Sequence, residues 1–382
     1  MMTKHRGAIV LVDDEIAELN LITVLLLVLC VNIISSAFTC TNDRVVQGCG
    51  GKLADLMSEV CKGRYNGPGK RSADLESILR PESIPDYEPV TMTFLNTDNE
   101  LTKCITLNEI SKEISRIRHG KATGFDDIMN EAIEALPKDY LISLKDIFNR
   151  ILRTSEFPTT WLISVIQPIF KNGDPDDPSN YRGIALLSNI AKLFTSILKS
   201  RLGSWIERRN IVPENQAGFR AAHSCQDHIF TLLSLIQMTL SRKRRKCYMF
   251  FVDLKKAFDT VPHSLLWRKL VDAGLNHRFV NLIKDYYTNM TAVVRWNNSF
   301  TAPIKVRSGV LQGEPMSPYL FILFINDLIG LYNNSDLPGI YLPNYGYVHI
   351  LLYADDIVLI GESKNNLQIK INMLRKYFEK IY

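Results

Sequence analysis

The last part of the chain contains an apolar run that is interrupted by two adjacent acids. The run extends from Ile350 to Ile360, and the acids are Asp355 and Asp356. Its strand-forming residues predict two short strands joined by a turn. Burying two charges is costly unless a cation pairs with them, and Mg²⁺ is the usual cation for oxygen ligands beside phosphates. A solvated hairpin turn explains the same two acids equally well.

A second apolar run ends on a carboxylate. Residues Tyr248–Val252 predict a strand, Asp253 follows it directly, and a helical segment is expected close behind. Asp253 is therefore a second candidate for a strand-end carboxylate. The alternative is an acid that only caps the following helix. Two-metal sites need carboxylates from separate segments of the chain, and these two runs supply them.

Between the two acidic runs lies a segment rich in glycine and proline, Arg307–Pro318. The apolar stretch that follows predicts a helix through Leu328. A loop of this kind presents backbone N–H groups, and here also Gln312, to a ligand in front of the helix. The N-terminus of a helix favours anionic ligands. An ordinary junction between a loop and a helix would contain the same glycines and prolines.

Amphipathic helices dominate the region before the first acidic run. Apolar spacing predicts helices over Asn108–Ile117, Glu131–Leu152 with a join at Pro137, and Ile190–Arg208, and a strand over Trp161–Phe170. Arg182 stands just before another apolar run, where its guanidinium could hold a triphosphate. A surface arginine is the alternative. The basic run Arg242–Lys246 is typical of a solvated loop or of a segment that attracts a nucleic-acid backbone.

Composition adds few constraints. The 382 residues can form two or three domains, and 46% hydrophobic residues are typical of a globular protein. A formal net charge of +5 is compatible with an anionic partner without requiring one. Four of the seven cysteines fall within the first 61 residues, which suggests a different redox history for that part of the chain.

The first 38 residues resemble a secretory signal peptide. Residues Leu21–Phe38 are strongly apolar and end close to small residues, as at a signal cleavage site. Four acids are atypical of such a leader: Asp13, Asp14, Glu15 and Glu18. A signal anchor and a buried helix or mistranslated leader are the alternatives. A secretory signal predicts entry into the secretory pathway.

Residues 39–71 carry two cysteines at the ends of a predicted amphipathic helix, which runs from Cys49 to Cys61. The Cys-Gly opening, the twelve-residue step to Val-Cys and the following Gly63-Arg64-Tyr65 resemble the B chain of insulin-like peptides. Lys70-Arg71 resembles a prohormone cleavage site. The resemblance makes the two cysteines disulfide candidates and implies an insulin-like A chain as partner. An amphipathic helix with incidental cysteines is the alternative.

The order of acid strand, Gly-Gln loop and Asp-Asp hairpin resembles the reverse transcriptase of non-LTR (LINE-like) retrotransposons. The matching segments are Phe251–Asp259, Gly309–Pro318 and Tyr353–Asp356, and Lys121–Ile128, Asn180–Ser188 and Gln216–Arg220 are similar to the finger motifs of that family. The resemblance implies an α+β fold of the right-hand polymerase type. Fingers are expected over 108–245 and a palm over 246–382, preceded by a short helical segment that contains cysteines.

The resemblance also implies roles for single residues. Asp253, Asp355 and Asp356 would hold Mg²⁺, with Mn²⁺ as the alternative metal, for a two-metal nucleotidyl transfer. Four residues would form the nucleotide pocket: Arg182 at the triphosphate, Phe258 as the steric gate against a ribose 2′-hydroxyl, and Gln312 and Gly313 along its wall. Asp259 is expected to fix the local backbone. The expected partners are an RNA template, a DNA primer and dNTPs, without a small-molecule cofactor.

The predicted organisation is a leader over 1–38, an insulin-like fragment over 39–71, a linker over 72–107 and the polymerase region behind them. Because the chain stops at Tyr382, one helix past the hairpin, the thumb is expected to be absent and the polymerase weak or inactive. The competing hypothesis is a secreted insulin-like hormone precursor fragment fused to a non-functional retroelement relic. The leader predicts the secretory pathway, whereas the polymerase resemblance predicts the nucleus or cytoplasm.

Overall fold

The computed structural model describes residues 6–12, 100–241, 246–254, 256–296, 299–343 and 346–381. Its helices are α1 (Leu107–Ile114), α2 (Asn130–Glu134), α3 (Lys138–Thr154), α4 (Asn189–Arg208), α5 (Cys225–Leu240), α6 (His263–Asp272), α7 (His277–Asn289), α8 (Ser317–Ile325), α9 (Asp327–Asn333) and α10 (Lys364–Ile381). Its strands are β1 (Arg6–Val12), β2 (Ile163–Phe170), β3 (Tyr181–Leu186), β4 (Cys247–Asp253), β5 (Thr291–Trp296), β6 (Ser299–Phe300), β7 (Ile304–Lys305), β8 (Ile340–Leu342), β9 (Gly346–Val348), β10 (Ile350–Tyr353) and β11 (Asp356–Gly361). The α+β class is confirmed.

The chain divides into two compact units. The described residues of the first unit come from 1–52, 212–255 and 325–382, and those of the second unit come from 53–211 and 256–324. The predicted boundary at residue 245 does not coincide with this division. The boundary falls inside the segment 212–255 of the first unit, because α5, which precedes residue 245, packs on β4, which follows it.

A four-stranded antiparallel sheet, in the order β1-β4-β11-β10, lies in the first unit. Successive residues of a strand point to opposite faces of the sheet. In this sheet a helix packs on each face. α5 starts with a capping box between Ser224 and Asp227 and packs on Cys247 and Met249 of β4. On the other face, residues of α10 and Val252 of β4 line a common cavity. β4 therefore lies between α5 on one face of the sheet and α10 on the other.

β1 pairs with β4 over its whole length, from Arg6 opposite Asp253 to Val12 opposite Cys247. It is an edge strand, and it gives β4 a partner on each side. The beginning of the predicted leader is therefore a strand in this structure. The rest of that leader, the insulin-like fragment 39–71 and the predicted linker as far as residue 99 lie outside the described residues.

A mixed sheet in the order β3-β2-β5-β6, with β7 also paired to β5, lies in the second unit. β2 and β5 are parallel, and the remaining pairs are antiparallel. An aromatic cluster of Phe148, Trp161 and Phe194 packs with ring centroids 5.2–6.4 Å apart.

α4 begins after Ser188, whose side chain accepts a hydrogen bond from the backbone N–H of the third helical residue, Ala191. The predicted helix over 190–208 and the join at Pro137 between α2 and α3 are confirmed.

α8 is apolar around its circumference and largely buried, as expected for a core helix. The prediction of one continuous helix through Leu328 is wrong, since α8 ends at Ile325 and α9 begins at Asp327. At the junction the Ile329 N–H donates to the Asn326 carbonyl, an i→i+3 bond that tightens the backbone. Within the described ranges, no helix combines the length and apolarity needed to span a membrane.

Residues 100–107, predicted as the end of a linker, are packed into the second unit. Leu101 and Ile105 are buried. Arg201 of α4 donates to the carbonyls of Leu101 and Lys103, and it pairs with Glu109 at 2.8 Å. These contacts join residues about a hundred positions apart, which a local pattern of prolines and polar residues does not reveal.

Candidate active site

Two carboxylates stand opposite each other on neighbouring strands of the first unit. β4 ends at Asp253, β11 begins at Asp356, and the two residues are partners in the antiparallel register. Asp355 lies with Ala354 in the turn between β10 and β11. The predicted hairpin and the predicted strand before Asp253 are therefore confirmed. Asp253 is not a helix cap, because the next helix, α6, has Pro262 at its N-cap.

The two neighbouring acids oppose the ionisation of Asp356. Burial, together with the negative charges of Asp355 and Asp253, raises the pKa of Asp356 to about 6. Among the described residues, no group of three or more His, Cys, Asp or Glu side chains stands at the distances of a preformed metal site. The donor set nevertheless suits a hard divalent cation, because carboxylate oxygens and excess negative charge are what Mg²⁺ prefers.

The turn that carries Asp355 is clamped by a separate segment. Ala354 has a left-handed φ of +58°, a conformation that costs a residue with a Cβ roughly 1 kcal/mol. The Gln216 side chain accepts from the Ala354 N–H (2.9 Å) and donates to the Ala354 carbonyl (3.3 Å). A Cβ on Gly218 would lie 2.2 Å from the Ala354 nitrogen. Sequence reasoning noted Gln216 only as part of a family-like segment, because a partner 138 residues away leaves no local signal.

Arg182 and Gln312 meet in the second unit. Arg182 lies on β3, and its Nε donates to Gln312 Oε1 at 2.6 Å. The main chain of β3 is bonded to the same loop, since the Ala185 N–H donates to the Gln312 carbonyl at 2.8 Å. The structure therefore brings together two predicted nucleotide contacts that are 130 residues apart in the chain.

Gly313 permits the close approach of this loop to β3. Its φ is +116°, and a Cβ there would lie 2.5 Å from the Ala185 carbonyl oxygen. Only glycine tolerates both the positive φ and that distance. A larger residue would move the loop away from β3 and would displace the neighbouring Gln312.

Phe258 is half-buried and stacks on Phe321 of α8, with ring centroids 4.6 Å apart and an interplanar angle of 14°. Its carbonyl accepts from the Val310 N–H at 2.7 Å. The ring therefore packs on α8, and the backbone of Phe258 is bonded to the glycine-rich loop. The next residue, Asp259, accepts a hydrogen bond from the Gln312 side chain at 3.0 Å, a contact that the sequence did not predict.

The cysteines divide between the two parts of the chain. The disulfide candidates Cys49 and Cys61 lie outside the described residues, and their pairing stays a prediction. The cysteines inside the described ranges, Cys104, Cys225 and Cys247, form no disulfide with one another. Burial raises the pKa of the Cys247 thiol to about 12, so this residue behaves as a small core side chain.

Known proteins of transposable elements are similar to this chain. Residues 169–381, more than half of the chain, match the family reverse transcriptase (RNA-dependent DNA polymerase). The chain is 33% identical over 263 residues to a probable RNA-directed DNA polymerase from transposon BS, and 31% identical over 257 residues to one from transposon X-element, both of Drosophila melanogaster. It is 29% identical over 262 residues to the RNA-directed DNA polymerase from mobile element jockey of Drosophila funebris.

These three matches cover 67–68% of this chain and 27–28% of each relative. The chain thus spans little more than a quarter of the length of these relatives. The segments Phe251–Asp259, Gly309–Pro318 and Tyr353–Asp356 all fall within the matched residues. The chain therefore belongs to the reverse transcriptase (RNA-dependent DNA polymerase) family.

Proposed function

We propose that the protein acts as an RNA-directed DNA polymerase of a non-LTR retrotransposon, with an RNA template, a DNA primer and dNTPs as substrates. Family membership supports the reaction class, and the motif resemblance supports the type of element. One observation carries the proposal: Asp253 and Asp356 are partners across adjacent strands, and Asp355 lies in the adjoining turn. In the same proposal the four-stranded sheet of the first unit is the palm, and the β2–β3 hairpin belongs to the fingers.

Asp253, Asp355 and Asp356 are the residues that would hold Mg²⁺ or Mn²⁺. A pair of such ions, when bound, lowers the pKa of the primer 3′-hydroxyl and stabilises the leaving pyrophosphate. The chain itself concentrates negative charge at one end of the sheet, as the raised pKa of Asp356 indicates. Gln216 contributes by holding the turn on which Asp355 lies.

Arg182, Phe258, Gln312 and Gly313 are assigned to nucleotide binding. The Arg182 contact to Gln312 uses Nε, and the two terminal nitrogens of a guanidinium suit a bidentate contact with phosphate oxygens. The ring of Phe258, which stacks on Phe321, has the bulk to exclude a ribose 2′-hydroxyl. Gly313 keeps the loop against β3, which maintains the position of Gln312.

Primer extension tests the proposal. The purified chain is given a primed RNA template and dNTPs, with and without Mg²⁺. Replacing Asp355 by Asn removes one proposed metal ligand at nearly constant volume. Extension should fall by at least about 100-fold, because several kcal/mol of transition-state stabilisation depend on the metal. The exposed Asp336→Asn variant is the matched control and should retain activity. Equal extension by Asp355→Asn and the parent chain would overturn the proposal.

Metal binding is measured separately from polymerisation. Mn²⁺ titration followed by electron paramagnetic resonance should show binding to the parent chain and to Asp336→Asn. Binding to Asp355→Asn should be at least about tenfold weaker, because a hard cation loses one anionic oxygen ligand. If all three proteins bind Mn²⁺ with the same affinity, Asp355 is not a metal ligand.

A further inference from the structure

Two segments of the second unit are bonded together beside Asp259. The Gly309 N–H donates to the Val261 carbonyl at 2.8 Å. Gly309 has a φ of +85°, and a Cβ on it would lie 2.8 Å from the Asp259 carbonyl oxygen. The main chain at Asp259 is therefore fixed relative to the loop that carries Gln312.

Asp259, Gln312 and Arg182 form a relay of side-chain hydrogen bonds. Gln312 Nε2 donates to Asp259 Oδ1 at 3.0 Å, and Arg182 Nε donates to Gln312 Oε1 at 2.6 Å. An ionised carboxylate can only accept hydrogen bonds, and a guanidinium can only donate them. A side-chain amide accepts through its oxygen and donates through its nitrogen. The amide of Gln312 therefore has a single orientation that satisfies both neighbours. Asp259 fixes that orientation from the side opposite to Arg182.

Asp259 is also influenced by several basic side chains. It is largely buried, and burial raises the pKa of its carboxyl, while the hydrogen bond from Gln312 and the charges of Lys256, Arg182 and Lys171 act in the opposite direction. Three cations therefore act on this one anion. An excess of positive charge of this kind attracts a polyanion such as a triphosphate.

We propose that Asp259 is a positioning residue for the nucleotide: it locks the Gln312 amide, and Gln312 in turn directs the Arg182 guanidinium at the triphosphate of a dNTP. This inference rests on the proposed function, because it assigns the ligand of the same nucleotide pocket. Asp259 acts through Gln312 and does not touch the nucleotide itself. The relay serves affinity for the nucleotide rather than the chemical step.

The test measures dTTP affinity without catalysis. Calorimetry follows dTTP binding to the chain on a primed RNA template whose primer ends in a dideoxynucleotide. Asp259→Leu removes the acceptor for Gln312 and should weaken dTTP binding by about tenfold, as expected for one charge-assisted hydrogen bond. Asp259→Asn still offers an oxygen to Gln312 and should stay within about threefold of the parent. The exposed Asp272→Asn variant on α6 is the control and should bind like the parent.

A double-mutant cycle distinguishes positioning from general structural damage. If Asp259 acts through Gln312, then adding Asp259→Leu to Gln312→Leu should cost no further dTTP affinity. Full additivity of the two losses would overturn the proposal, as would parent-like binding by Asp259→Leu or a parent chain that binds no dTTP. Thermal unfolding verifies that each variant folds, and Asp259→Ala replaces the leucine variant if that one does not.

The outcomes also separate this inference from the proposed function. Nucleotide binding that depends on Asp259 in a chain that never extends a primer would support the relay and contradict the polymerase assignment. Primer extension with a dTTP KM unchanged by Asp259→Leu would support the polymerase and overturn the relay.

Discussion

At the residue scale, burial changes the acid–base behaviour of Glu314 in the loop before α8. The Ser317 N–H and hydroxyl donate to its carboxylate at 2.8 and 3.3 Å. Burial raises the pKa of Glu314 to about 7, against the hydrogen bonds from Thr195 and Ser317, which lower it. The residue is therefore close to half protonated near neutral pH. Its sequence neighbourhood indicates a loop and gives no sign of this burial.

Replacing Glu314 by Gln should change how stability depends on pH. The carboxyl has a pKa of 4.5 unperturbed and about 7 in the folded chain, so the folded state binds the proton more tightly. Stability of the parent should therefore fall by about 3 kcal/mol as pH rises through this window. Glu314→Gln should lack that loss and be the more stable protein at about pH 8.

Urea unfolding at about pH 5 and about pH 8 provides the measurement. Glu379→Gln is the control, because Glu379 is exposed and forms only an i,i+4 ion pair with Arg375. A variant at Glu314 with the same pH dependence as the parent would show that this carboxyl is not the source of the effect.

At the scale of elements, β1 protects the outer edge of β4. The seven residues of β1 pair with all seven of β4, the strand that ends on Asp253. In an antiparallel pair, every second N–H of an edge strand points at the partner and the others point away. A strand edge without a partner exposes unpaired N–H and C=O groups. β1 therefore stabilises the strand that carries one of the candidate catalytic acids.

Adjacent prolines test this pairing. Of Ile9 and Val10, one N–H points at β4 and the other points away from the sheet, so proline should be disruptive at one position and tolerated at the other. We expect the disruptive variant to lose about 3 kcal/mol of stability. Leu11→Pro should have the same effect as Ile9→Pro, because the direction of the N–H groups repeats every two residues along a strand. Thermal unfolding measures all three. Equal effects at Ile9 and Val10 would contradict the paired strand.

At the scale of the whole molecule, each compact unit is built from segments that are separated in the chain. The described residues of the first unit come from 1–52, 212–255 and 325–382, and those of the second come from 53–211 and 256–324. The predicted palm, 246–382, therefore contains parts of both units. It omits α5, whose side chains pack on β4, and Gln216, which clamps the turn at Ala354.

A fragment of residues 246–382 should accordingly not fold by itself. Without α5 the apolar face of β4 at Cys247 and Met249 loses its cover, and exposed apolar area costs about 25 cal/mol per Å². Circular dichroism during urea titration should show no cooperative transition for this fragment. A fragment of residues 100–382 lacks β1 but retains α5 and Gln216, so it should still unfold cooperatively, at a lower urea concentration than the full chain. A cooperative transition in the shorter fragment would contradict the interleaved arrangement.

Local pattern was enough to predict much of the secondary structure. The hairpin around Asp355, the strand before Asp253 and the helix over 190–208 were all predicted, because short-range periodicity decides which residues share a strand or helix face. The helix through Leu328 was predicted wrongly, since a shift of hydrogen bonding at Asn326 has no periodic signature. Motif order within the sequence also indicated the family, which the comparisons confirmed.

The sequence by itself determined the family, the local elements and the identity of the candidate acids. Only the tertiary structure decided that Asp253 stands opposite Asp356, that Gln216 clamps the acidic turn, and that Gln312 donates to Asp259. The physical reason is separation along the chain. These contacts join residues 53 to 138 positions apart in the hydrogen-bonded cases, so they depend on how distant strands and loops pack. A local pattern of apolar and polar residues contains no record of that packing.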